Sequence, residues 1–350
     1  MIQASIFGKT ADGRDVHAFK LRDGANEATI LSLGGIVQSL KVADREGNPT
    51  DVVLGYNDVA SYENNDGYLG AIIGRCANRI EKGHLVIDGV EYQLPCNERG
   101  NHHHGGAKGF HTKLWNYVFE GKGGNTLALS MTSPDGDENY PGNLRVQVCY
   151  TLSGGELTID YAAMSDRKTV INMTNHAYFN LDGEGSGNVL DTFLTIDADR
   201  IVSTDEALVP HGEFRNVEGT PFDFRKAHRL GERIGDDEDQ DIRYQDGYDA
   251  CFVLNKKKGT YAKVAEAESE RSGIVLEAFT DMPALHLYTG NGLSQRGKSG
   301  FYNRCYGFAL ETQCIPNAVN VPAYAALGDP VFERNKIYHS VTSYKFSVRK

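Results

Sequence analysis

The chain has 350 residues, 40% hydrophobic and 24% charged, with a formal net charge of −11, the balance of a globular protein in water. The acidic charge argues against a nucleic-acid partner, which is usually met by a basic stripe or patch. No run approaches the ~18 apolar residues of a membrane span, and the opening MIQASIFGKTADGRDV lacks a basic-then-apolar export signal. Six scattered cysteines (76, 96, 149, 251, 305 and 314) form no CxxC pair. They read as free thiols of a reducing, cytoplasmic compartment, without a zinc knuckle or a disulfide scaffold.

In chain order, short alternating segments rich in Val, Ile, Thr, Tyr and Leu recur: ATILSLGGIVQSLKV, HLVIDGVEYQL, NTLALSMT, NLRVQVCYTL, ELTIDYAAM, DTFLTIDA, GIVLEAFT, HLYTG, YGFALET and SYKFSV. These predict strands. Turn signals separate them: DG at 88–89, GKGGN at 121–125, SPDGDENYPGN and LSGGE, with the two-residue DG predicting a hairpin. No segment of about 12 residues carries helical apolar spacing, so helices should be few and short. The expectation is an all-β fold, a large antiparallel β-sandwich, in one domain over 1–350. Its weakest joint is the region around 231–241. There the acidic run GDDEDQD reads as a solvated loop, lacking the spacing of a calcium loop.

Several polar constellations interrupt this pattern. GRCANRI at 74–80 sets Asn78 and Arg79 after the apolar LGAIIG. Arg and Asn suit the reading of vicinal hydroxyls, though Arg79 reads equally well as a clamp on loop carbonyls. In NHHHGG at 101–106, strand alternation would let only His102 and His104 share a face, and no third metal ligand is evident nearby. The two glycines would let backbone approach a ligand closely. In NMTNHAYFNLDG at 172–183, His176 shares a face with Asn172, Thr174, Tyr178 and Asn180, opposite Met173, Ala177, Phe179 and Leu181. The polar face fits a site or merely a solvated strand. Asp249 precedes an apolar run in GYDACFVL, where a turn role is the ordinary reading. In YGFALETQ at 306–313, Glu311 stands on the face of Gly307 and Ala309, beside what reads as space for a ligand.

Taken together, GRCANRI, LPCNERGNHHHGG with GFHTKLW, SPDGDENYPGNL, NMTNHAYFNL, GTPFDFR, YTGN and ALETQCIPNAVN resemble, in order, the motifs of the aldose 1-epimerase family, the galactose mutarotases. The resemblance implies a large antiparallel β-sandwich. It also implies interconversion of the α and β anomers of free aldoses such as galactose and glucose, without metal or organic cofactor. Glu311 would be the base at the anomeric hydroxyl and His176 the acid at the ring oxygen. Asn78, Arg79, His104 and Asp249 would bind the sugar, with His286 where the family often has glutamine. A carboxylate near His176 is expected to favour its imidazolium. Ala250 and Cys251, after Asp249, depart from the family's His and Asn and put substrate preference in doubt, disaccharides included. Two rivals stay open: a glycoside hydrolase using Glu311 and Asp249, and a sugar-binding sandwich without catalysis. The expected partner is a small sugar, bound by a monomer or homodimer.

Overall fold

The structure is a computed structural model that describes residues 2–119 and 124–349. Gly121, Lys122 and Gly123 of the GKGGN turn lie outside the described residues. The fold is a large antiparallel β-sandwich. A nine-stranded sheet runs Asn116–Phe119, Thr126–Ser133, Leu144–Ser153, Glu156–Ser165, Ile337–Val348, Ile274–Thr280, Ala262–Glu268, Phe193–Ile196 and His228–Arg229. A five-stranded sheet runs Pro210–Asn216, Ala198–Thr204, Asp249–Leu254, Ala284–Tyr288 and Ala309–Gln313. A second five-stranded sheet, from Gln3–Lys9 to Pro49–Asp51, is formed by the N-terminal segments. The described α-helices are single turns or little more, Val59–Glu63, Gln240–Gln245 and Pro322–Ala325. No helix among the described residues is long and apolar enough to cross a membrane.

The alternation read from the sequence sets the faces. Leu144, Val146, Val148, Tyr150 and Leu152 are buried while their neighbours along the strand are more open. Val148 lies opposite Tyr161 and Tyr150 opposite Ile159 on the next strand. Burying each such side chain stabilises by about 1.5–3 kcal/mol. The DG hairpin forms as expected, Ile87 facing Val90 across Asp88 and Gly89, whose φ values are 51° and 78°, the left-handed pair that a two-residue turn requires.

Two expectations are corrected. The run 235–241 is not simply solvated: Asp239 caps the helix Gln240–Gln245, and Asp239 and Asp241 are buried in ion pairs with Arg215. Residues 172–181 are buried throughout, so a solvated strand face is excluded. Only Thr174–Asn175 is regular strand, paired with Ile72–Ile73, and Phe179 bridges to Val53 and Phe308. Met173, Ala177, Phe179 and Leu181 nonetheless enter the main core, as the alternation predicts.

Candidate active site

Three neighbouring strands build the floor of a cleft. Ala250, Phe252, Leu254, Leu285, Leu287 and Leu310 face the sandwich core. By alternation, Asp249, His286 and Glu311 face the other way. Cys251, His286 and Glu311 stand in one cross-strand row, with Asp249 opposite Tyr288 in the next. The core-facing side anchors this floor: Tyr344 donates from its hydroxyl to the Leu310 carbonyl at 2.8 Å, and the Thr312 and Thr342 hydroxyls bond to each other.

The wall comes from two loops. His102–His103 pairs with Arg79–Ile80. Asn78 and His104, at φ 62° and 50°, both leave extended geometry, and each holds the other. The Asn78 N–H donates to His104 Nδ1 at 3.1 Å, and the His104 N–H to the Asn78 carbonyl at 3.2 Å. Because Nδ1 accepts, the neutral ring carries its hydrogen on Nε2. This turn corrects the expected alternation. His103 and His104 line the cleft, their ring centroids 3.7 Å apart. His102 points away, donating from Nδ1 to the Pro95 carbonyl and accepting from the Tyr140 hydroxyl at Nε2, each at 2.8 Å. The glycines that follow make room for protein rather than ligand, since a Cβ on Gly105 would lie 1.8 Å from the Gly74 carbonyl oxygen.

The cleft has a volume of about 570 Å³, and Asn78, Arg79, His104, His176, Asp249, His286 and Glu311 all line it. His176 Nε2 lies 3.5 Å from Glu311 Oε1, with side chains 5% and 1% exposed. His286 Nε2 donates to Asp249 Oδ1 at 2.6 Å. Arg79 donates from Nε to Glu98 at 3.0 Å and sets Nη2 3.8 Å from Asp249. It therefore faces the cleft between two carboxylates. The loop-clamping role belongs to its neighbour Arg75, fully buried, whose guanidinium donates to the carbonyls of Ser133, Pro134, Pro141 and Gly142. The space beside Gly307 is not ligand space: a Cβ there would meet Leu54 and Tyr178, and Tyr178 in turn backs His176 at 4.8 Å between ring centroids. Ala250 faces the core, and Cys251, though beside His286 on the floor, is buried in a satellite apolar cluster and does not line the cleft, so of the departures around the sugar motifs His286 alone lines it.

Burial dominates the protonation of the pair. It pushes Glu311 well above the usual carboxylate range, helped by the Asp249 charge and opposed by Arg79. Burial also draws His176 down to about 3. The expected imidazolium is thus not the resting form. Desolvation outweighs attraction, and the two groups share one proton that favours the carboxyl. Burial alone would raise Asp249, but Arg79 and the His286 hydrogen bond overcome it and hold that carboxyl ionised.

His104, His176 and Glu311 bring ligand-type atoms within 4.8 Å of one another, a grouping that their separation in sequence conceals. His104 has no free lone pair for an ion, since Nδ1 accepts from Asn78 and Nε2 carries the hydrogen. The trio offers two ligands as it stands, short of the three a catalytic zinc takes from protein. Sequence reasoning missed Glu98, His103 and Tyr288 as lining residues. Glu98 and His103 lie inside a quoted motif, and the Tyr288 position in YTGN, two residues from His286, was the available signal.

The antiparallel sandwich sets a buried carboxyl against an imidazole in a polar cleft, an arrangement suited to proton transfer, and comparison with known proteins gives the class, an isomerase acting on carbohydrate. The chain belongs to the aldose 1-epimerase family, whose sequence profile matches residues 17–345. It is 42% identical over 354 residues to a galactose mutarotase of Homo sapiens, covering 99% of both chains. To an aldose 1-epimerase of Escherichia coli K12 it is 34% identical over 340 residues, 96% of each. A crystal structure of an aldose epimerase homologue from C. elegans superposes with a TM-score of 0.86 at 30% identity, covering 95% of this chain and 98% of the other. One of a galactose 1-epimerase from Lactobacillus acidophilus gives 0.88 at 28%, covering 100% and 99%.

Proposed function

We propose that this enzyme interconverts the α and β anomers of free aldoses, galactose and glucose among them, with Glu311 and His176 as the proton-transfer pair. The observation that carries the assignment is the 3.5 Å approach of His176 Nε2 to Glu311 Oε1 on the cleft floor. Glu311 takes the proton of the C1 hydroxyl while His176 gives one to the ring oxygen. The C1–O5 bond breaks, leaving an aldehyde at C1 and a hydroxyl at C5. After rotation about C1–C2 the ring closes on the other carbonyl face, and both protons return. The pair begins and ends with one proton between them, so no net acid or base is consumed. Moving that proton from carboxyl to imidazole is uphill in a buried site; hydrogen bonds from the sugar to the carboxylate and from the imidazolium to the ring oxygen offset the cost.

Asn78, Arg79, His104, Asp249 and His286 orient the ring. His104 offers Nε2–H as a donor, Asp249 accepts from hydroxyls, and Tyr178 and Tyr288 present aromatic walls. Asp249 is already committed to His286 and near Arg79, which leaves Glu311 as the carboxyl free to move protons and disfavours two-carboxylate hydrolysis. The same reading takes 1–350 as one domain, a cytoplasmic monomer or homodimer, needing no metal or cofactor. A main core drawing on all three large sheets supports the single domain, and six free cysteines support a reducing compartment. The test is polarimetry on freshly dissolved α-D-galactose and α-D-glucose. The chain should hasten the approach to the final rotation, Glu311→Gln and His176→Asn should not, and an aryl glycoside should stay intact. Sugar binding without acceleration would make the protein a binding module.

A further inference from the structure

Gln313 is wholly buried, and neither its amide nitrogen nor its amide oxygen meets a hydrogen-bonding partner among the described residues. It is the last residue of the strand Ala309–Gln313, two positions after Glu311 and therefore on the same face. Glu311 is in the same condition: Oε2 is buried and unpartnered, while Oε1 is the oxygen near His176. His286 stands directly across from Glu311 in register, spends Nε2 on Asp249, and keeps a buried, unpartnered Nδ1. The residue opposite Gln313 is Ala284, whose side chain offers the amide no hydrogen-bonding partner. Glu311 Oε2, His286 Nδ1 and the Gln313 amide, which can both donate and accept, thus belong to one face of two neighbouring strands, all shielded from solvent. Buried polar groups of native proteins are nearly always satisfied, and about 2–4 such partners are what an internal water requires.

We propose that Gln313 is a positioning residue for the mutarotase base: its amide holds a buried water that donates to Glu311 Oε2. This rests on the assignment of Glu311 as that base. The water fixes the carboxylate so that Oε1 meets the C1 hydroxyl. It also stabilises the ionised form, since donors to a carboxylate favour its charge. Gln313 does not line the cleft and acts through Glu311 alone.

The test is Gln313→Met, which keeps length and removes both hydrogen-bonding atoms, read by polarimetry across pH. With the donor lost, kcat should fall by about 10- to 100-fold while KM changes by less than about twofold. The basic limb of the kcat profile should move to higher pH, because Glu311 holds its proton longer. A purely structural role would lower thermal stability without moving that limb, and an unmoved limb overturns the proposal. Should the variant not fold, a high-resolution crystal structure of the unaltered protein decides. A water bonded to both Glu311 Oε2 and the Gln313 amide supports the proposal, and a dry site overturns it. Glu311→Gln measured alongside separates the two layers: if it stays active, the base assignment itself fails. If it is dead and Gln313→Met keeps the normal pH profile, only the role of Gln313 fails.

Discussion

Replacing Glu311 by glutamine tests chemistry and burial at once, because the two residues share a shape and differ in one titrating proton. On the chemical side, losing a positioned base costs about 10²–10⁴ in rate, a barrier increase of about 3–5 kcal/mol. On the stability side, Glu311 titrates in the folded protein well above its ordinary 4.5. A raised pKa contributes stability that is fully present below the unfolded value and is lost as pH rises toward the folded one. Glutamine carries no such dependence. The stability of the variant minus that of the wild type should therefore climb by about 1.4 kcal/mol per pH unit, from 4.5 up to the raised value of Glu311. Urea unfolding at a series of pH values measures the slope, and polarimetry measures the rate. A stability difference indifferent to pH would refute the buried-carboxyl argument, and a rate within about threefold of wild type would refute the catalytic one.

The shared proton also predicts the pH profile of kcat/KM. The pair carries one proton from about 3, where His176 would gain a second, to the raised value of Glu311. Activity should stay level through the ordinary histidine value of 6.5, and an acid limb centred there would contradict the neutral pair. Arg75→Met leaves the carbonyls of Ser133, Pro134, Pro141 and Gly142 without their buried donor. It should cost about 1–3 kcal/mol for each buried carbonyl left unsatisfied, read in a denaturant titration, and the fraction still folded should keep its kcat. Asp249→Asn removes a charged acceptor and the partner of His286; KM should rise by about 10- to 100-fold, and an unchanged KM would remove Asp249 from sugar recognition.

The sandwich and the floor of the cleft were legible because they follow from period-two alternation. Glu311 and Asp249 face the cleft for the same reason that Leu310 and Phe252 face the core. The wall was less legible. His104 takes φ 50°, which breaks the alternation, so His103 joined the site and His102 left it. Glycine marks close approach without naming what approaches: at Gly105 it is the Gly74 carbonyl and at Gly307 it is Leu54 with Tyr178. The protonation of His176 was misjudged because the family resemblance supplies the carboxylate partner while the depth of burial is not written in the residues. The acidic run misled similarly, since its partner Arg215 lies on another element.

The strand Ile337–Val348 lies between Glu156–Ser165 and Ile274–Thr280 in the middle of the large sheet, joining segments far apart in the chain. Until it docks, both flanks present open edges able to pair with other molecules, and its Thr342 and Tyr344 cannot brace the strand that carries Glu311. Assembly of the catalytic floor is thus a late folding event that depends on distant contacts, which form slowly. Recovery of activity on dilution from denaturant should lag behind the gain of β-structure, and its yield should fall as protein concentration rises. Activity and circular dichroism recovering together at every concentration would show that the floor forms without this keystone.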